Sequence, residues 1–188
     1  MSKLYFSVIT LLFTCLAFAQ PRKGEFINAS LGIGLAAPYD ESETTGNGFY
    51  AQAEYVWAPN TWFGVRPYVG FVVASGESDE KDVPTGVKEY IKSNAALLGA
   101  KVRMAAPIPY VAPFMEVGVG MSIGSFETDT QYTQLKKSGA LLHIPFSLGL
   151  AIGRKHATEI KFTYYYHNAV EQFSGAAAIG FSFPLDKQ

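Results

Sequence analysis

Eight stretches of alternating apolar and small or polar residues follow one another along this chain, joined by links that run long, short, long, short, long, short, long. A soluble β-protein has no reason to sort its loops by length in this way. A meandering transmembrane barrel does, because its short turns lie on the periplasmic side and its long loops on the outer side. The rhythm therefore predicts an all-β protein built as an eight-stranded antiparallel up-and-down transmembrane β-barrel.

The first residues are expected to lie outside that barrel. Lys3 supplies a charged start, Leu4 to Leu16 is an apolar run, and Ala17-Phe18-Ala19 before Gln20 is the small-x-small pattern cut by a signal peptidase. The run is shorter than the roughly 20 apolar residues of a spanning helix. Residues 1–19 are thus expected to be a cleaved signal peptide and 20–188 a single outer-membrane barrel domain. Cys15 is the chain's only cysteine, so disulfides and thiol chemistry are not expected after cleavage. Loss of Lys3 leaves 14 basic against 16 acidic residues, and no general pull toward nucleic acid. Charged residues are only 16% of the chain, against about 25% for a usual soluble surface.

A period of two places strands at Glu25 to Ala36, Gly48 to Ala58, Trp62 to Ser75, Tyr90 to Met104, Tyr110 to Gly124, Ala140 to Ile152, Thr158 to His167 and Gly175 to Leu185. Each is long enough for a tilted membrane crossing, which needs about 9 to 11 residues. Pro59-Asn60 and Pro107-Ile108-Pro109 punctuate short turns, and Gly153 to Ala157 forms a third, basic one.

One face of this pattern is apolar, as in Ile27, Leu31, Val69, Val119, Leu148 and Phe181; the other carries glycines, polar groups and charges. If the apolar face pointed inward, the chain would be a soluble lipocalin-like periplasmic carrier and its glycines would sit on solvent-facing strands, where they weaken a sheet. If the apolar face meets lipid, the glycines make room in a narrow lumen for long charged side chains. The second arrangement is expected, with Leu148 outward and Gly149 inward and tolerant of serine. Aromatic girdles are expected from Tyr55, Trp57, Trp62, Phe63 and Tyr110 at one end and Phe49, Tyr90, Phe126, Tyr164 and Tyr166 at the other.

The inward face gathers the chain's closest thing to a constellation. Glu54, Arg66, Lys101, Arg103, Glu116, Glu159 and Lys161 all fall in the periplasmic half of the lumen. Three acids and four bases at one level predict a salt-bridged structural plug, because unpaired charges there would be costly. An eight-stranded barrel is only wide enough to be filled by side chains. The long links hold eleven of the sixteen acidic residues. Asp79, Glu80 and Asp82 in a loop from Gly76 to Glu89, and Glu127 and Asp129 in a loop from Ser125 to Gly139, are the surface candidates for recognition. No fixed-spacing motif assigns them a ligand, and neither a metal site nor a cofactor is expected.

The export signal, the eight amphipathic strands, the segment Arg66-Pro67-Tyr68-Val69-Gly70 and the aromatic last strand with Phe181 and Phe183 resemble the small outer-membrane barrels of the OmpA and OmpX type. The resemblance implies a monomer in outer-membrane lipid, inserted by the barrel-insertion machinery, with no enzymatic activity. Members often end on an aromatic residue, whereas Pro184 to Gln188 follow Phe183 here. Lipid A deacylases are barrels too, with a His-x-Ser-Asn motif in which serine is the nucleophile. His167 matches the histidine, but Ala169 stands at the serine position and Ser174 lies further on. His167 and Ser174 are therefore the candidates of a lipid-modifying alternative, and no catalytic residue is expected on the main reading.

Overall fold

In a computed structural model, residues 23–40, 44–77, 89–130 and 132–185 are described. They form eight strands: β1 (Gly24–Pro38), β2 (Gly46–Ala58), β3 (Phe63–Glu77), β4 (Tyr90–Ala105), β5 (Val111–Asp129), β6 (Gln134–Ile152), β7 (Thr158–Tyr166) and β8 (Gln172–Pro184). Every neighbouring pair is antiparallel, and β8 pairs back onto β1 from Phe26↔Pro184 to Pro38↔Gln172, so the sheet closes. Closure leaves no strand edge along the barrel wall, which is what a sheet in hydrocarbon requires.

The alternation in the sequence is the alternation in space. Leu31, Val69, Val119 and Leu142 face outward with 61, 62, 70 and 81% of their surface exposed. Asn28, Glu54, Arg66, Lys101, Glu116 and Lys161 are buried inside. An apolar exterior around a charged interior is the inverse of a soluble barrel, and it is stable only where the exterior meets lipid. The lipocalin-like alternative is thereby overturned. Leu148 is half-exposed on the outside, as its parity predicts.

Two expectations fail at the end where the longer links lie. Ser125 to Gly139 is not a loop: β5 continues to Asp129 and β6 resumes at Gln134, in register from Ser125↔Ser138 to Asp129↔Gln134. The alternation had faded because this ribbon runs beyond the apolar belt, where polar side chains suit the outer face. Cross-strand pairs such as Glu127↔Lys136 sustain it instead. Likewise β8 begins at Gln172, which shortens the last link to residues 167–171.

Candidate functional site

The lumen is the site, and small residues make it. Lys161 stands between Gly149 on β6 and Ala178 on β8, Glu159 between Ala151 and Gly180, and Lys101 beside Gly118. Each long ionic side chain thus crosses the space that its neighbours leave empty. Gly120 does the same higher up: a Cβ there would lie 2.3 Å from the Tyr68 hydroxyl and 2.5 Å from His143 Nε2.

All seven charged residues expected to form a plug meet in one network. Glu54 on β2 receives Arg66 Nη1 at 2.9 Å, Lys101 Nζ at 2.8 Å and Lys161 Nζ at 2.5 Å. Glu116 on β5 receives Arg66 Nη1 and Lys101 Nζ, each at 2.8 Å, and Arg103 Nη2 at 2.6 Å. Glu159 on β7 receives Arg66 Nη2 at 3.0 Å and Arg103 Nη1 at 2.6 Å. The three carboxylates therefore tie β2, β3, β4, β5 and β7 together through the middle of the barrel. Arg103 is the least enclosed member, with 11% of its side chain exposed, and its guanidinium lies 3.5 Å from the Phe114 ring centre. Buried ions cost several kcal/mol each unless paired and hydrogen-bonded, and this mutual arrangement offsets that cost.

Above the ionic layer lies a neutral hydrogen-bonded layer that pattern reading did not assemble. Gln52 donates to Glu54 and accepts from the hydroxyls of Tyr50 and Tyr165, each at 2.8 Å. His143 joins Tyr68 through Nε2 and Ser122 through Nδ1, and Ser122 Oγ also lies 2.8 Å from His167 Nε2. Further along, Ser93 meets Ser174 at 2.8 Å and Thr128 donates to Gln172 at 2.7 Å. Parity was the available signal, since Tyr50, Tyr68 and Tyr165 share the inward phase of Gln52, Arg66 and Lys161. Phe126 is a correction of the same kind. Expected in an outer girdle, it is fully buried, its ring centre 4.6 Å from that of His167 and the two rings tilted by 54°. Trp57, Trp62, Phe49, Tyr90 and Tyr166 do lie outside.

The remaining candidates fare differently. Asp79, Glu80 and Asp82 lie outside the described residues, as do residues 1–22 with the expected cleavage site. Glu127 and Asp129 sit on β5 rather than in a loop, and Glu127 is paired with Lys136 at 3.0 Å. The bond from Lys136 holds the Glu127 carboxyl below the usual range, helped by the Ser125 hydroxyl, and Glu127 in turn raises Lys136. His167 and Ser174 are both buried in the lumen and bonded to different serines, Ser122 and Ser93, so neither faces lipid. Among the described residues no group of three or more His, Cys, Asp or Glu could hold a metal ion.

No protein-family model and no curated protein matches the chain. Solved structures do. Neisserial surface protein A is 12% identical, with a TM-score of 0.56 over 87% of this chain and 98% of that one. The outer-membrane protein OprG from Pseudomonas aeruginosa is 9% identical, with a TM-score of 0.54 over 89% of this chain and 99% of that one. At such identities the likeness is one of fold. Together with the apolar exterior and the charged, filled interior, it places the chain in the class of small outer-membrane β-barrels.

Proposed function

We propose that this protein is a non-enzymatic, monomeric integral barrel of the outer membrane. Its lumen is plugged by the network of Glu54, Arg66, Lys101, Arg103, Glu116, Glu159 and Lys161, and its role is structural or one of recognition at the long-link end. The observation that carries the reading is the buried network itself: eight ion pairs of 3.0 Å or less join five of the strands inside the lumen, and five of them link strands that are not neighbours in the sheet. A brace of this kind stiffens the scaffold and blocks the axis, leaving the ends of the barrel to meet other molecules. Acidic side chains at the long-link end, Asp79, Glu80, Asp82, Glu127 and Asp129, are the candidates for such contacts. The surroundings on this reading are outer-membrane lipid, with the barrel-insertion machinery a partner during assembly. Planar-bilayer recording on the purified monomer tests it. Little or no conductance is expected, and a steady porin-like current would overturn the plug.

A further inference from the structure

The short links differ from the long ones in charge as well as length. Residues 59–62 and 106–110 hold no charged side chain, while 153–157 holds Arg154 and Lys155 side by side, and none of the three links holds a carboxylate. Both cations are exposed, and among the described residues neither has an ion pair. Outside the lumen, the other charges described at this end are Lys23 and Glu25 at the start of β1, beyond β7 and β8 from this turn. The turn itself is fixed. Gly153 has a φ of 94° and His156 a φ of 50°, a backbone that glycine adopts freely and histidine does not. Bonds to the neighbouring β4–β5 link hold it there: Gly153 N–H donates to the Tyr110 carbonyl at 2.8 Å, and His156 Nε2 donates to the Ile108 carbonyl at 3.1 Å. With His156 buried against that link, Arg154 and Lys155 project from a rigid mount.

The mount stands at the edge of the apolar belt. β6 ends at Ile152, paired with Val111, and the outward Val111, Tyr110 and Ile160 beside the turn are exposed. The two cations therefore lie where hydrocarbon gives way to headgroups, on the side where short turns face the periplasm. A guanidinium matches two phosphate oxygens at once, and an ammonium beside it adds a point charge. We propose that this turn is a docking surface for an anionic phospholipid of the periplasmic leaflet, with the phosphodiester on Arg154 and Lys155 and the upper acyl chain on Tyr110, Val111 and Ile160. Charge complementarity selects the head, and the adjoining apolar wall selects a lipid over a free phosphate. The proposal rests on the outer-membrane setting and on nothing in the lumen.

The test uses the whole folded barrel, nitrogen-15 labelled, in nanodiscs of phosphatidylcholine into which phosphatidylglycerol is titrated at constant salt. The backbone amides of Gly153 to Ala157 are expected to shift saturably, while those of the uncharged link at Asn60 and Thr61, which meets the same headgroups, stay in place. Glycerol phosphate added to pure phosphatidylcholine nanodiscs should leave both links unmoved. Arg154→Gln and Lys155→Gln are each expected to raise the half-saturating lipid fraction about fivefold, the usual contribution of one basic residue near an anionic surface, and the double variant should lose saturation. Neither side chain is buried or paired, so these variants keep the fold. An unchanged midpoint in the double variant, or an equal shift at Asn60, would reduce the effect to general surface charge and overturn the site. A response to glycerol phosphate alone, or to soluble peptidoglycan fragments in place of phosphatidylglycerol, would overturn the lipid as its occupant. Each of these failures leaves the lumen plug standing.

Discussion

Arg66 on β3 and Lys101 on β4 stand directly opposite each other on the inner face, two cations side by side, and both are held by the same two carboxylates, Glu54 and Glu116. Like charges in facing positions destabilise a sheet unless something intervenes. The register of β3 on β4 is thus tolerable only because β2 and β5 deliver an acid to the same level. Sheet pairing and lumen chemistry depend on each other here.

Removing one of those acids is expected to be expensive. Glu54→Gln leaves Arg66, Lys101 and Lys161 under-compensated, and loss of one partner from a buried ion pair costs roughly 3–5 kcal/mol. Lys161 has Glu54 as its ion-pair partner, so adding Lys161→Met should recover part of the loss. Denaturant unfolding in lipid vesicles measures both, and a double variant as unstable as the two single losses summed would show that the pair is uncoupled.

Neighbouring positions 148 and 149 fail for opposite reasons. Leu148→Arg places a charge on the lipid face, at about 2–4 kcal/mol near the bilayer midplane. Gly149→Ser, which the alternation alone makes harmless, puts a Cβ 2.4 Å from Phe114 Cζ and 2.5 Å from the Ile160 carbonyl oxygen. Overpacking of that kind costs about 1–3 kcal/mol. Reduced folding yield is expected for both in vesicles, and a Gly149→Ser barrel as stable as wild type would show that β6 and β7 can spread at that level.

The ribbon at the end of β5 and β6 is expected to resist proteases except at its tip. Tyr132 is 60% exposed in the link between the two strands, whereas Lys136 and Lys137 lie in the paired ladder. Chymotrypsin on intact cells should cut at Tyr132 while trypsin spares the two lysines, since cleavage needs an opened backbone. Rapid tryptic cutting at Lys136 would mean that the ribbon is not formed.

The Glu127–Lys136 pair sets a small acid dependence. Because the folded carboxyl is depressed, its contribution to ribbon stability is present above the ordinary glutamate range. It disappears as the pH falls through the lowered value. A carboxyl titration by NMR should place Glu127 below an unpaired glutamate and return it to the ordinary range in Lys136→Ala. An unchanged midpoint in that variant would remove the pair as the cause.

Where the chain crosses the apolar belt, its sequence was sufficient. Ala58, Tyr90, Ile152 and Thr158 end or begin strands as the alternation places them, and all seven charges of the network have the inward phase that parity assigns. The reason is that lipid imposes a strict two-residue period: one face must be apolar, so the other is marked by exclusion. Only the tertiary structure decided the rest. Outside the belt the outer face of β5 and β6 is polar, with Glu127 paired across to Lys136, while Phe126 and Leu135 turn inward onto the core, an arrangement that the outward alternation does not announce. Inside the lumen, parity says which side chains point inward but not which ones touch. That Glu54 gathers three cations, that Gly120 clears space for Tyr68 and His143, and that Phe126 turns in against His167 all depend on the stagger of eight strands around a closed circle. Local sequence does not encode that stagger.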